Sequence, residues 1–142
     1  MTLKKSFFFI LVPFHQIPKM IIYILRLEDK KYYVGRTNNL VDRIEAHVMG
    51  RGCEWTRKYK VKRLIRSYET NDMYDEDKET RKCMSRYGIR NVRGGSYAKM
   101  EMMDDEVKRL RHEIRGSEGR CYYCGRKGHY GRECWRRYLF SD

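Results

Sequence analysis

Apolar and polar positions alternate along the chain in short segments, each with its own period. Met20 to Leu27 (MIIYILRL) is an apolar run that predicts a buried strand. Glu28, Asp29 and Lys30 make a tight polar turn, and Lys31 to Gly35 (KYYVG) returns as a second strand, so the two form a hairpin. From Asn38 to Met49 the period becomes helical, with Leu40, Ile44 and His47 recurring on one side. Asn38 or Asn39 serves as the N-cap and Gly50 as the stop. Val61 to Tyr68 predicts a third strand. Asp75 to Tyr87 predicts a second helix ended by Gly88, with Met73, Thr80, Cys83, Met84 and Tyr87 as its inward stripe. A glycine-bearing loop (NVRGGSY) follows, then a charged helix near Asp105 to Arg115 with Val107, Leu110 and Ile114 on one side. Gly116 to Arg120 (GSEGR) reads as a flexible linker. The order β-β-α-β-α, then helix, linker and a short cysteine-bearing segment, predicts an α+β domain with a small appendage.

Charge narrows the class of partner. Among 142 residues, 32 Lys and Arg face 19 acids, for a formal net charge of +13. Such an excess suits a polyanion, because each phosphate neutralised by a basic side chain releases a condensed counterion. Residues 51–66 concentrate the effect, with Trp55 and Tyr59 set among Arg57, Lys58 and Lys60. Twelve tyrosines and two tryptophans add flat rings on which bases stack. Nucleic acid is therefore the expected partner. No apolar run approaches the ~20 residues that cross a bilayer, so no membrane partner is expected. Lys4, Lys5 and the segment Ser6 to Phe14 imitate a signal peptide. Pro13 interrupts that run and no small-residue cleavage site follows before Lys19. Residues 1–19 read as a dispensable extension, with Met20 an alternative start.

Three of the five cysteines lie within 14 residues beside a histidine, which is metal-site spacing and not a disulfide framework. Cys121, Cys124, His129 and Cys134 follow C-x2-C-x4-H-x4-C, four ligands that close a tetrahedral cage and make a bound Zn²⁺ structural. Thiolate ligands imply a reducing, intracellular setting and a protein that is not secreted. Gly125 and Gly128 permit the tight turns of so short a loop. The segment resembles the CCHC zinc knuckle of retroviral nucleocapsid-like proteins. That resemblance implies that Tyr122 and Tyr130, with Trp135 beside them, stack on unpaired bases. Arg120, Arg126, Lys127 and Arg132 would then track phosphates.

A second constellation runs from residue 20 to residue 92: Ile21-Ile22-Tyr23, then Tyr33-Val34-Gly35, then Asn39-Leu40, Arg43 and His47, then an acid. In this order the residues resemble the GIY-YIG endonuclease domain, with the first motif lacking its glycine at Ile21. The resemblance implies a small three-stranded antiparallel sheet flanked by helices, and a first-motif tyrosine that orients or deprotonates water. Singly, each residue also reads as an ordinary strand tyrosine, solvated arginine or core histidine. The chemistry is nonetheless coherent. A three-residue turn puts Tyr23 and Tyr33 on one face, and Arg43 and His47, four apart, share a side of the first helix. Arginine clamps phosphate oxygens, while histidine and tyrosine relay a proton.

The cation ligand must be an acid, and Glu69 to Glu79 holds six. At about 100° per residue Glu76 falls inside the inward stripe and Glu79 near its edge. Glu76 is the expected ligand for Mg²⁺ or Mn²⁺, with Glu79 the fallback. Asn91 stands where the family often places a terminal asparagine, and 88–97 is expected at the active-site rim. Trp55 and Thr56 either line a DNA channel or, for Trp55, belong to the core. The resulting organisation is an extension (1–19), a GIY-YIG-like nuclease domain (20–97), a helix and linker (98–120), a knuckle (121–134) and a basic, aromatic tail (135–142). The expected function is metal-dependent hydrolysis of DNA. A non-catalytic nucleic-acid chaperone on a degenerate nuclease fold is the alternative.

Overall fold

The structure is a computed structural model that describes residues 19–139; the extension before Lys19 and tail positions 140–142 lie outside the described residues. Its strands are β1 (Met20–Leu27), β2 (Tyr32–Thr37), β3 (Val61–Thr70) and β4 (Val92–Gly94). Its helices are α1 (Leu40–Val48), α2 (Glu54–Lys58), α3 (Asp75–Tyr87) and α4 (Asp104–Ser117). The sheet order is β3-β1-β2-β4. β1 pairs antiparallel with β2, as the expected hairpin requires, and also with β3; β4 adds a fourth strand, parallel to β2, to the three-stranded antiparallel sheet that was expected. β4 falls inside the glycine-bearing loop. Three residues ending in glycine carry no readable period, and only pairing with Tyr32 to Val34 makes them a strand.

Central position explains why β1 is apolar throughout, since helices cover both faces of the sheet. Ile22 and Ile24 point to one side, where they meet Val34, Met84, Val92, Val107 and Leu110 from α3, α4 and the neighbouring strands. Tyr23, Leu25 and Leu27 point to the other, against Tyr33, Trp55 and the α1 residues Leu40 and Ile44. Each fully buried leucine here contributes roughly 2 kcal/mol or more from area removed from water. The turn between β1 and β2 places Asp29 and Lys30 both at φ 54°. That left-handed pair matches the strand twist, as in type I′ hairpins. The Lys31 N–H closes the turn on the Glu28 carbonyl at 3.1 Å.

Asn39, not Asn38, caps α1, accepting from the Asp42 N–H. α2 arises within the basic stretch, where mixed charge hides a five-residue helix. α4 is longer than its sequence pattern indicates and takes in Gly116 and Ser117. The linker therefore shrinks to Glu118–Arg120. Val107, Leu110 and Ile114 of α4 enter the same core as β1, so this helix completes the fold instead of trailing behind it.

β4 also brings in a buried cation. Arg93 is 2% exposed. Its guanidinium donates to the carbonyls of Lys99 (2.5 Å), Val92 (2.7 Å), Met100 (3.1 Å) and Ile89 (3.2 Å). It lies 4.4 Å from the centre of the Trp55 ring. Carbonyl dipoles and a ring face thus replace its hydration. Burial still draws its pKa down.

Candidate active site and zinc site

β1, β2 and α1 converge on one cluster. Tyr23 and Tyr33 share a face of the hairpin with ring centres 6.2 Å apart. Gly35 sits opposite Tyr23 in the register, and a Cβ there would lie 2.3 Å from the Tyr23 ring. The glycine of Tyr33-Val34-Gly35 therefore lets the tyrosine lie flat across the strand. From α1, His47 Nε2 stands 2.8 Å from the Tyr23 hydroxyl, and Arg43 Nε donates to the same oxygen at 3.3 Å. Behind the histidine, Nδ1 meets Thr56 Oγ1 at 2.9 Å, and that hydroxyl donates to the Cys53 carbonyl at 3.1 Å. Because the Thr56 proton goes to the carbonyl, its oxygen accepts from Nδ1–H. Nε2 is left as an acceptor, so the Tyr23 hydroxyl donates to it.

Sequence reasoning missed the support for this histidine. Thr56 was a candidate channel residue, and it holds the ring instead. At Gly52 a Cβ would sit 2.2 Å from His47 Nδ1. The only sequence signal was a glycine five residues beyond the histidine, and it is not specific.

Electrostatics follow from burial. Loss of solvent, helped by the Arg43 charge, lowers His47 to about 4, so the ring is neutral at pH 7. Burial raises the Tyr23 phenol, and Arg43 opposes the rise through its hydrogen bond and charge. Burial raises Tyr33 further. Arg43 is held more firmly protonated, chiefly by its bond to Tyr23.

Glu76, in the first turn of α3, faces this cluster electrostatically. Burial raises its pKa while Arg36 and Arg43 pull it down. Its carboxylate is 3.8 Å from Arg36 Nε. The loop after β4 pins the helix turn here, because Ser96 donates to Asp77 from its N–H (2.8 Å) and its hydroxyl (2.6 Å). Glu79 lies elsewhere. It is 6% exposed, accepts from the Tyr68 hydroxyl at 3.1 Å and has Lys82 at 3.8 Å. The stripe expected from Met73 onward is thus rotated. Met73 precedes the helix and is 69% exposed, and Glu79 is the deeper of the two acids. A lone accessible carboxylate fits a cation that keeps much of its own water shell, and this is the donor set Glu76 offers.

Two expectations change. Asn91 is at the far end of β2 from Glu76, where it accepts from Lys31 Nζ (2.8 Å) and donates to the Tyr87 carbonyl (2.8 Å). It closes a turn, and only Gly94 to Ser96 of the expected rim reach the acidic end. Of the two places open to Trp55, a DNA channel or the core, it takes the core. It is 4% exposed and donates from Nε1 to the Tyr32 carbonyl at 3.0 Å, so its ring is a core element closed to bases. Arg57, Lys58 and Lys60 remain exposed.

At the C-terminal end the ligand atoms of Cys121, Cys124, His129 and Cys134 all lie within 4.8 Å of one another. Tetrahedral Zn²⁺ with ~2.3 Å bonds to sulfur requires such spacing. Gly125 and Gly128 both take positive φ, as the loop demands. Burial pushes the Cys121 thiol up, but backbone N–H groups of Cys124 and Tyr123 outweigh it and bring it to about 6. Tyr122, Tyr123 and Tyr130 surround Gly131 with Arg132 and Arg137, lining a groove of about 560 Å³. Tyr123 is an addition to the expected set. Trp135 is exposed with Arg136 over its ring at 5.4 Å, and Arg126 and Lys127 are exposed on the loop. No helix among the described residues is long and apolar enough to cross a membrane.

Comparison with known proteins agrees with this geometry. Residues 19–86 match the family described as the GIY-YIG catalytic domain. A UPF0213 protein of Oceanobacillus iheyensis is 47% identical over 36 residues, 25% of this chain and 42% of its own length. A UPF0213 protein of Clostridium perfringens is 50% identical over 36 residues, 25% of this chain and 39% of its own length. The chain thus spans about two-fifths of the curated relatives it matches. No solved structure matches it with significance. The Cys121–Cys134 cluster is compatible with a zinc knuckle, and residues 19–86 of this chain are similar to the GIY-YIG catalytic domain.

Proposed function

We propose that the chain is a metal-dependent endonuclease that hydrolyses DNA phosphodiester bonds, with its knuckle adding grip on unpaired nucleic acid. The observation that carries this reading is the hydrogen-bonded series Arg43–Tyr23–His47–Thr56, with Glu76 within electrostatic reach of it. A divalent cation, Mg²⁺ or Mn²⁺, held by Glu76 supplies charge neutralisation at the scissile phosphate. The chain's own residues do the remainder. As water attacks, the Tyr23 oxygen takes its proton while the Tyr23 proton passes to His47 Nε2, so no free tyrosinate has to form first. Thr56 keeps the histidine in the tautomer that permits this. Arg43 stabilises the tyrosine oxygen as it gains charge and has donors left for a phosphate oxygen. Tyr33 packs beside His47 and holds its hydroxyl protonated for a hydrogen bond to substrate.

Zn²⁺ shapes the knuckle, where Tyr122, Tyr130 and Trp135 stack on bases and Arg126 and Lys127 meet phosphates. Arg57, Lys58 and Lys60 grip the phosphate backbone. Thiolate zinc ligands suit a reducing compartment inside the cell.

The non-catalytic alternative drew on the missing glycine at Ile21. Ile21 occupies a regular strand position between Thr37 and Glu69, where nothing demands glycine. The deciding experiment is Mg²⁺-dependent cleavage of supercoiled and branched DNA beside Glu76→Ala and Arg43→Ala. Nicking by the wild type, lost in both variants and in EDTA, supports the enzyme. Intact binding without any cutting supports the chaperone.

A further inference from the structure

Strand parity puts a second set of charges on the sheet face opposite the candidate catalytic tyrosines. Tyr23 and Leu25 of β1 turn toward α1 and α2, while Ile22 and Ile24 turn toward α3 and α4. Arg26 continues the second series at the hairpin end and is exposed. Across the strands Arg26 stands opposite Arg63 of β3 and Tyr32 of β2, and Ile24 stands opposite Arg66. Opposed residues of an antiparallel pair share a face, so these arginines gather on one side. α3 adds Arg86 in its last turn, 5.4 Å from the centre of the Tyr87 ring, and Arg66 lies 4.9 Å from that of Tyr68. At the turn, Lys30 and Lys62 join Arg26 and Arg63 around a groove of about 430 Å³, with Glu28 and Asp29 as its acids.

Three observations mark Arg26, Lys30, Lys62, Arg63, Arg66 and Arg86 as a binding surface. All are exposed, and among the described residues none forms an ion pair. Elsewhere Arg36, Lys78, Arg81, Lys82 and Arg90 each have an acidic partner. Like charges directly opposite one another destabilise a sheet, so the Arg26–Arg63 pair gains when an anion lies over it. The neighbouring rings are not free: Tyr32, Tyr68 and Tyr87 are half-buried, and Tyr32 stacks on Tyr87 with centres 3.8 Å apart. Guanidinium groups without free rings or an apolar centre suit phosphates. They do not suit bases or the core of a protein interface.

This surface is separate from the candidate catalytic centre. Arg86 stands ten positions beyond Glu76 on α3, roughly 15 Å at ~1.5 Å per residue. The sheet itself lies between the arginines and Tyr23 and Tyr33. Near the first turns of α3, the side toward β3 carries Asp72, Asp75 and Glu79, the last two bonded to Thr70 and Tyr68. Lys78 and Lys82 offset these acids only in part, so no continuous basic track leads a phosphate backbone from Glu76 to Arg86. We propose that this back face is a second, non-catalytic phosphate surface, on which the chain holds a duplex segment other than the one at its active site. Bridging two segments rests on the endonuclease reading of the opposite face; the phosphate surface does not. Holding one segment raises the local concentration of the other without any new contact at the site of cutting.

The test uses the full-length, zinc-loaded protein without Mg²⁺, a bead-bound duplex and a labelled second duplex. Wild type is expected to capture the labelled duplex, and Arg26→Gln with Arg63→Gln to capture about tenfold less, as two phosphate contacts are lost. That variant should melt no lower than wild type, since a like-charge pair is relieved, and with Mg²⁺ should nick plasmid at a rate within about twofold. Arg26→Lys with Arg63→Lys should keep most of the capture. No capture by wild type, or equal capture by the glutamine variant, overturns the inference. A glutamine variant that loses nicking together with capture also overturns it, because the arginines then belong to the substrate track. A glutamine variant that loses affinity for polyglutamate but not for duplex makes the partner an acidic protein, which overturns it as well. If no protein nicks, the nuclease reading fails by itself, and loss of capture in the glutamine variant still upholds the phosphate surface.

Discussion

Replacing Gly52 with alanine places a methyl group 2.2 Å from His47 Nδ1, 2.6 Å from Thr56 Oγ1 and 2.9 Å from His47 Cε1. Ordinary carbon contacts begin near 3.4 Å, so the ring or the loop must retreat by roughly 1 Å. Either movement breaks the His47–Thr56 bond and leaves a buried N–H without a partner, at about 1–3 kcal/mol. Overpacking adds about 1–3 kcal/mol. Part of the strain is relieved as the bond breaks, so a net loss of roughly 2–4 kcal/mol is expected. For a chain of this size that lowers Tm by about 6–15 °C. Cleavage should fall at least tenfold, because the imidazole no longer presents Nε2 to Tyr23. Gly50→Ala is the control: Gly50 has φ +75° and nothing within 4 Å of an added Cβ. It carries left-handed strain of about 1–2 kcal/mol and should leave cleavage and the His47 resonance unchanged. Calorimetry, plasmid nicking and NMR titration of the histidines read the three quantities. A Gly52→Ala protein that melts within a degree or two of wild type, cuts normally and keeps His47 near pH 4 would refute the reasoning.

Stability should depend on pH through His47. Its folded pKa, about 4, is below the unfolded value of about 6.5, so between them the unfolded chain binds more protons. The contribution is complete above pH 6.5 and lost as pH falls through 4, on the order of 3 kcal/mol at most; denaturant curves at pH 7 and 4.5 should lose most of this difference in His47→Gln. The two acids should separate by behaviour. Glu76→Gln should abolish metal-dependent cutting with little loss of Tm, whereas Tyr68→Phe, which strips Glu79 of its donor, should cost about 1–3 kcal/mol and leave the Mg²⁺ titration unchanged. Lys30→Gly should raise stability by roughly 0.5–1 kcal/mol, since Lys30 sits at φ 54° where glycine is unstrained; a lower Tm would contradict the turn assignment. Mass spectrometry should find one Zn²⁺ per chain, absent from Cys134→Ser, and a chelator should change Trp135 emission without melting the sheet.

How much was legible in the sequence depended on where the controlling interactions lay. β1, α1, α3 and the knuckle carry their own periods or spacings, so they could be read locally. The hairpin brought Tyr23 and Tyr33 together because a two-residue period and a short turn leave little freedom. β4 and α2 have no local signature. They exist because Val34 lends a parallel edge and because Trp55 and Arg93 pack on each other, contacts 38 residues apart in sequence. The ranking of Glu76 and Glu79 is a rotation of one helix by less than a turn, finer than a sequence period resolves. Trp55 misled for the same reason. A tryptophan among cations looks like a channel residue until a buried arginine from the glycine-bearing loop supplies its partner.

That arginine has a consequence for how the protein opens. Arg93 gathers carbonyls at 89, 92, 99 and 100, and its cationic plane rests on the α2 tryptophan. Releasing any one of these segments strands a charge in the interior, so none of them frays alone. β4, the loop to Met100 and α2 should consequently behave as one exchange unit, their amide protons sharing a single opening rate. The same unit carries Thr56 and the loop that pins Asp77, so the supports of His47 and of the Glu76 turn rise and fall together. The two halves of the candidate site are, in this sense, assembled by a residue that touches neither.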